Sequence, residues 1–135
     1  MPTPETPPPA CRAFLIEDDP LTRQIIGAHA ERFGFAAVEV EPTIPAIGRA
    51  IAAAGADDVV ILDIILGPDL DGFEVIRLLG QMGFRGRVIV VSGFGPDYLQ
   101  PIEALAGALS VRIAGTLEKP VRPADLQRCL LGDGG

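Results

Sequence analysis

Short apolar segments alternate with amphipathic segments along most of the chain, and this alternation constrains the fold more than any other feature. The apolar segments lie at residues 12–16, 35–40, 58–62, 87–91 and 111–118. Each is short enough to be a buried strand, and each precedes a stretch whose apolar residues recur at helical spacing. Near-continuous apolar strands that alternate with helices form a parallel sheet with helices on both faces. The sequence therefore predicts an α/β domain of five strand–helix repeats.

The predicted helices carry start and stop signals. Asp19 is a candidate N-cap for the first helix, Pro20 suits its first position and Gly34 its end. The helical stripe predicted there consists of Leu21, Ile25, Ile26, Ala28 and Phe33. The other helices are predicted within residues 43–56, 72–83, 95–110 and 122–131. Within 95–110, Pro101 is expected to end or bend the first turn.

Composition narrows the class of protein. A length of 135 residues suits one domain, and 48% apolar with 21% charged residues is typical of a globular chain. The net charge of −7 argues against a nucleic-acid-binding surface, which needs clustered Lys and Arg. No apolar run is long enough to span a membrane, and no signal peptide is recognisable. We therefore expect a cytoplasmic protein that binds neither nucleic acid nor membrane, with Cys11 and Cys129 as reduced thiols.

The ends of the chain differ from its middle. Residues 1–11 contain Pro2, Pro4, Pro7, Pro8 and Pro9. Because proline disrupts both helices and sheet ladders, this stretch is predicted to be an extended tail. Residues 12–131 are predicted to form the domain, and residues 132–135 a short C-terminal tail.

Polar side chains follow four of the five predicted strands. They are Glu17, Asp18 and Asp19 after the first strand, Asp63 after the third, Ser92 after the fourth, and Glu118 and Lys119 at the end of the fifth. The carboxyl ends of parallel strands meet at one edge of a sheet, where such folds bind ligands. Clustered carboxylates repel one another unless a hard dication lies among them, and oxygen ligands without His or Cys favour Mg²⁺ or Mn²⁺. The cleft is therefore predicted to hold a metal and an anion, with Asp63 as the candidate nucleophile.

These residues resemble the receiver domain of two-component response regulators. The matching pieces are FLIEDD (14–19), VILD (60–63), DG (71–72), VVSG (90–93) and EKP (118–120), in the order of that family. The resemblance covers about residues 12 to 131. It implies a flavodoxin-like, doubly wound (βα)₅ fold with a five-stranded parallel sheet. The stretch from Ser92 to Pro120 is also similar to receivers joined to EAL-type regulators.

The resemblance also implies a role for each site residue. Asp63 matches the aspartate that accepts a phosphoryl group from the phosphohistidine of a histidine kinase or phosphotransfer protein. Ser92 and Lys119 match the hydroxyl and the ammonium that contact the phosphoryl group. The implied ligands of Mg²⁺ are Glu17, Asp18 and Asp63, together with the carbonyl oxygen of Ile65. Pro120 matches a proline that follows a cis peptide bond.

The implied signal is a change in the surface formed by the fourth helix, fifth strand and fifth helix, through which a homodimer is also plausible. This chain departs from the family pattern in three places. The segment from Asp63 to Asp71 is one residue longer than usual, and the segment from Ser92 to Lys119 is also longer. Thr116 stands where many receivers have an aromatic residue that turns inward on phosphorylation. The output partner and pathway are not predicted by the sequence.

Two other functions stay open at this point. A degenerate receiver would act as an interaction module without being phosphorylated. A phosphatase would use the same acidic cleft, although a haloacid-dehalogenase-type enzyme would have a second Asp where this chain has Ile65. If the receiver interpretation is right, Ile65 and Phe94 flank the path of an attacking water. Because neither can orient a water, we expect a long-lived phosphorylated state.

Overall fold

Five strands and five helices alternate along the part of the chain that the structure describes. The structure is a computed structural model that describes residues 11–66, 70–93, 97 and 99–132. The strands are β1 (Arg12–Ile16), β2 (Ala36–Glu39), β3 (Val59–Asp63), β4 (Arg87–Ser92) and β5 (Arg112–Glu118). The helices are α1 (Pro20–Arg32), α2 (Ile44–Ala52), α3 (Gly72–Gln81), α4 (Leu99–Ala108) and α5 (Pro123–Leu131). No helix of the described chain is both long and apolar enough to cross a membrane.

The strands form one parallel sheet in the order β2-β1-β3-β4-β5. The predicted flavodoxin-like architecture is therefore confirmed. Helices α1 and α5 cover one face, whose buried helical side chains are Ile26, Ala30, Leu126 and Leu130. Helices α2, α3 and α4 cover the other face, with Ile47, Ile51, Val75, Ile76, Leu79, Ile102 and Ala106 buried against it. We refer to these as the α1–α5 face and the α2–α4 face.

The central strand β3 shows why its sequence has no polar alternation. Val60 and Leu62 pack on the α2–α4 face, whereas Val59 and Ile61 pack on the α1–α5 face. All four side chains are buried, because helices cover both sides of the strand. Complete burial of a side chain of this kind contributes about 1.5–3 kcal/mol. Asp63, the last residue of β3, is thus placed at the end of a rigid, fully packed strand.

Side-chain caps fix the starts of three helices. Asp19 accepts hydrogen bonds from the backbone N–H and the hydroxyl of Thr22, which confirms it as the N-cap of α1. Thr43 caps α2, and Asp71 caps α3 by accepting from the backbone N–H of Glu74 at 3.0 Å. Each cap satisfies a backbone donor that has no partner within its helix. Pro101 lies in the first turn of α4, where its missing N–H interrupts no helical hydrogen bond.

The apolar stripe predicted for α1 is only partly buried. Ile26 is 2% exposed, but Leu21 is 65% and Ile25 is 44% exposed. The predicted stripe included Leu21 and Ile25 but not Ala30, whereas α1 buries Ile26, Gly27 and Ala30 against the sheet. Leu21 and Ile25 consequently lie on the solvent side of α1, close to the carboxyl end of the sheet.

Strand β5 contains a β-bulge. Two consecutive residues of β4 pair with Ile113 and Gly115, which leaves Ala114 as an extra residue. Ala114 and Leu117 both pack on the α1–α5 face, although residues three apart in a regular strand lie on opposite faces. The bulge therefore places Leu117 on the opposite face of the sheet from the one that a regular strand would give it.

Two arginine contacts at the amino ends of the strands were not predicted from the sequence. Asp58, which we assigned to a strand, is buried just before β3 and accepts hydrogen bonds from the backbone and side chain of Arg12, both at 2.9 Å. The backbone N–H of Gly55 also donates to Asp58, at 2.8 Å. Arg87, the first residue of β4, donates to the main-chain oxygens of Cys129 and Leu130 and so caps the end of α5.

The contacts of Asp58 yield a prediction about stability. Burial pushes the pKa of Asp58 upward, but the hydrogen bonds from Gly55 and Arg12 outweigh burial and hold the pKa below its ordinary value. Asp58→Asn should lower the free energy of unfolding by about 2 kcal/mol at neutral pH, because it removes the charge that pairs with Arg12. Urea unfolding measures this loss, with the exposed neighbour variant Asp57→Asn as the control.

The same variant should change the pH dependence. A depressed pKa in the folded state gives stability that is present above the unfolded pKa and is lost as pH falls through the folded pKa. The difference between the parent chain and Asp58→Asn should therefore shrink below about pH 4. A difference that stays constant into acid, or that is matched by Asp57→Asn, would contradict this account of the Arg12–Asp58 pair.

Candidate functional site

The parallel sheet brings the predicted site residues to one edge. Ile16 pairs with Leu62, so the residues that follow them, Glu17 and Asp63, lie side by side at the ends of β1 and β3. On the next pair of strands, Ser92 is the last residue of β4 and pairs with Glu118 of β5. This register places the residue after Glu118, which is Lys119, beside the same edge. Strand order alone therefore gathers residues that are far apart in the sequence.

Lys119 bridges the two central carboxylates. Its Nζ atom lies 2.7 Å from Oε1 of Glu17 and donates a hydrogen bond to Oδ2 of Asp63 at 2.8 Å. Glu17 is 3% exposed and Asp63 is 6% exposed, so both carboxylates are largely removed from water. The contact spans 56 residues of sequence and ties the end of β5 to the ends of β1 and β3.

The charges in this cluster do not balance. Burial raises the pKa of Glu17 to about 7; nearby Asp63 adds to the rise, and Lys119 works against it. Burial lowers the pKa of Lys119, but its contacts with Asp63 and Glu17 outweigh burial and raise the pKa above its ordinary value. One ammonium therefore faces two buried carboxylates, and an additional positive charge would be favourable here.

The donor atoms fit a hard divalent cation. Glu17, Asp18 and Asp63 each offer one carboxylate oxygen, and these atoms all lie within 4.8 Å of one another. Oε1 of Glu17 is buried and receives no hydrogen bond of regular geometry from the described residues, which leaves the Lys119 ammonium as its compensation. Asp18 is exposed, so its carboxylate faces the open side of the cluster. Three carboxylate oxygens without His or Cys suit Mg²⁺ or Mn²⁺.

The loop after Asp63 is held in place from both sides. The backbone N–H of Ile65 donates to Oδ1 of Asp63 at 3.1 Å, and Ile65 forms an isolated antiparallel bridge with Asp71. The backbone N–H of Gly72 donates to the main-chain oxygen of Ile64 at 2.7 Å. The loop residues 67–69, whose extra length the sequence indicated, lie outside the described residues.

Ser92 and Lys119 lie at the ends of β4 and β5, beside the carboxylate cluster. Ser92 is buried, and its main-chain oxygen accepts a hydrogen bond from the backbone N–H of Lys119 at 2.9 Å. The Lys119–Pro120 peptide bond is cis, as the family resemblance implied. Phe94, predicted to shield the site, lies outside the described residues. The structure thus brings Glu17, Asp18, Asp63, Ile65, Ser92 and Lys119 together at one edge.

The fold and the site together are those of an α/β domain with an acidic cleft at the carboxyl end of its parallel sheet. The chain belongs to the response regulator receiver domain family, which it matches over residues 13–130. It is 35% identical over 87 residues to BvgA of Bordetella pertussis, a transcription regulator of virulence factors. That match covers 64% of this chain but only 40% of BvgA, so the chain spans less than half of this relative. Similarity to receivers of EAL-type regulators stays a prediction.

Solved structures with the same fold include other signalling proteins. A response regulator from Colwellia psychrerythraea is 28% identical, with a TM-score of 0.72 over 90% of this chain and 94% of that one. The receiver domain of the sensor histidine kinase PA1611 from Pseudomonas aeruginosa is 26% identical, with a TM-score of 0.69 over 90% of this chain and 94% of that one. In the PA1611 structure a magnesium ion is coordinated in the active-site cleft.

The close approach of Gly72 to the loop yields a second prediction. A Cβ atom on Gly72 would lie 2.9 Å from the Cα atom of Ile64, so Gly72→Ala must push the backbone beside Asp63. We expect this variant to lose about 2 kcal/mol of unfolding free energy. The control Gly48→Ala adds a Cβ that meets nothing within 4 Å in α2, and should gain up to about 1 kcal/mol. Equal stability of Gly72→Ala and the parent in urea unfolding would contradict the tight packing.

Proposed function

We propose that this receiver domain accepts a phosphoryl group on Asp63 from a phosphohistidine, with Mg²⁺ or Mn²⁺ bound by Glu17, Asp18, Asp63 and the carbonyl oxygen of Ile65. The observation that carries the proposal is the Asp63 carboxylate, which is buried at a strand end and bonded to Lys119 beside two further carboxylates. An aspartate that only ended a strand would not need an ammonium and two further carboxylates beside it.

The proposed reaction is a single displacement at phosphorus. A carboxylate oxygen of Asp63 attacks, a P–O bond forms and the P–N bond breaks. The histidine nitrogen leaves with the bonding electron pair and takes up a proton. A cation held by Glu17, Asp18, Asp63 and the carbonyl oxygen of Ile65 would supply positive charge that offsets the charge of the phosphoryl oxygens. Lys119 is already held at the nucleophile and is proposed to contact a phosphoryl oxygen, as is the hydroxyl of Ser92.

The proposed donor is a sensor histidine kinase or a phosphotransfer protein. The exposed side chains of Leu21 and Ile25 support a protein donor, because they place apolar surface on α1 beside the site. A groove of about 320 Å³ next to them is lined by Ile25, Lys119, Pro120 and Val121, among others. A donor that delivers its phosphoryl group to the buried Asp63 would contact the surface around this groove.

The proposed output surface is formed by α4, β5 and α5. Thr116 lies there in a groove of about 470 Å³, together with Leu99, Arg122 and Arg128, where many receivers have an aromatic residue. We propose that phosphorylation changes this surface through the tethers of Ser92 and Lys119, and that a homodimer could form through it. The domain is proposed to comprise residues 12–131, between tails at 1–11 and 132–135, and to act in the cytoplasm without turning over a substrate.

A phosphorylation assay tests this function. Incubation with acetyl phosphate and Mg²⁺ should give an adduct of one phosphoryl group by intact mass, and Asp63→Asn should give none. Asp57→Asn, an exposed carboxylate change at the opposite edge of the sheet, should leave the adduct unchanged. Asp18→Ala should slow the reaction because it removes an anionic metal ligand.

Each alternative function predicts a different outcome of that assay. A degenerate receiver would give no adduct in the parent chain. A phosphatase would release phosphate far in excess of one group per chain. An Asp63→Asn variant that gains the adduct at the parental rate would contradict the assignment of Asp63.

The lifetime of the phosphorylated state gives a further prediction. Ile65 is 38% exposed beside Asp63 and cannot orient an attacking water. Ile65→Asn combined with Phe94→Glu should release phosphate several times faster than the parent once the donor is removed. The control Ile44→Asn changes an isoleucine of nearly equal exposure, 39%, at the start of α2, and should decay like the parent. Decay of the double variant at or below the parental rate would contradict the shielding role.

A further inference from the structure

Arg23 links three parts of the structure around the loop of Glu17, Asp18 and Asp19, which joins β1 to α1. It lies in the first turn of α1, and its Nη1 atom donates to the main-chain oxygen of Glu17 at 2.9 Å. Its Nε atom donates to Oε1 of Glu39, the last residue of β2, at 2.7 Å. A single guanidinium therefore joins α1, the end of β2 and the residue that follows β1.

The peptide that Arg23 contacts is the one that joins Glu17 to Asp18. A peptide unit is planar, so fixing its oxygen also fixes the direction of the Asp18 amide and restricts the torsions on both sides. Those torsions determine where the two consecutive carboxylates lie. Both carboxylates belong to the group whose oxygens lie within 4.8 Å of one another. Arg23 thus acts on the geometry of the acidic pair without contacting either carboxylate.

The first turn of α1 holds the other end of the same loop. The main-chain oxygen of Asp19 accepts from the backbone N–H of Arg23 at 2.9 Å, and its carboxylate accepts from Thr22. The loop is therefore fixed at Glu17 by the side chain of Arg23 and at Asp19 by the backbone of α1. Asp18, which is exposed, lies between these two fixed points.

Glu39 offsets the charge of Arg23. A guanidinium near a cation site opposes cation binding, and the Glu39 carboxylate, 2.7 Å from Nε, reduces this effect. The Glu39 side chain is 62% exposed, so the pair is screened by solvent and contributes little to stability. The more enclosed contact of Arg23 is the one with the Glu17 carbonyl.

We infer that Arg23 is a positioning residue of the metal site, which holds the Glu17–Asp18 peptide so that both carboxylates point to the cation. This inference rests on the proposed function. Residues that orient metal ligands commonly change metal affinity about 10-fold or more when they are replaced. A residue that served only the stability of α1 would leave the metal affinity unchanged.

The test is a titration of the full chain with Mg²⁺, followed by backbone-amide NMR, on the parent, Arg23→Ala, Arg23→Lys and Glu39→Gln. Arg23→Ala should weaken Mg²⁺ binding about 10-fold, and saturating Mg²⁺ should restore its phosphorylation by acetyl phosphate to near the parental rate. Arg23→Lys keeps one donor and should lie between the parent and Arg23→Ala. Glu39→Gln keeps the bond to the Glu17 carbonyl and should bind Mg²⁺ within about twofold of the parent, as expected for loss of a screened surface pair.

Three outcomes would overturn the inference. One is parental Mg²⁺ affinity in a folded Arg23→Ala chain or, if that variant does not fold, in Arg23→Lys. Another is an equal loss of affinity in Glu39→Gln, which would assign the effect to the surface pair. A parent chain that binds no Mg²⁺ would overturn the proposed function and this inference with it, whereas the first two outcomes would leave the proposed function standing.

Discussion

The contact of one ammonium with two buried carboxylates is the interaction on which the site depends. Lys119 holds Glu17 and Asp63, which follow two neighbouring strands and would otherwise repel each other in a nearly dry environment. Breaking a buried pair of this kind leaves an uncompensated charge, so the three side chains form a unit. Burial raises the pKa of Glu17 to about 7, and a cation bound beside the two carboxylates would favour the ionised form of both. The same atoms of Lys119, Glu17 and Asp63 therefore hold the strand ends together and form the proposed site.

The register of the sheet explains why the sequence was enough to predict that these residues lie together. Parallel strands end at a common edge, so a polar residue directly after an apolar run is placed there by topology alone. The places of Asp63 and Lys119 in the fold could be predicted from the positions at which β3 and β5 end. The contacts of Arg23 and Arg12 could not be predicted in this way, because an arginine reaches partners 6 and 46 residues away through its side chain. Such partners depend on three-dimensional packing rather than on periodicity.

Two further features of the fold could not be predicted from the periodicity of apolar residues. Leu21 and Ile25 have helical spacing, yet the path of α1 over the sheet leaves both exposed. The bulge at Ala114 reverses the inward and outward alternation of β5, and no residue pattern indicated where the extra residue would be accommodated. Both features bear on function. The first leaves apolar surface near the acidic cleft, and the second lies in the strand that leads to Lys119.

The central claim is that Asp63 carries the phosphoryl group. Borohydride reduces an aspartyl phosphate to homoserine, which peptide mass spectrometry locates in the sequence. After incubation with acetyl phosphate and Mg²⁺, this account predicts reduction at position 63 alone, dependent on the cation. Reduction at Asp18 or Asp71 with position 63 untouched would contradict it.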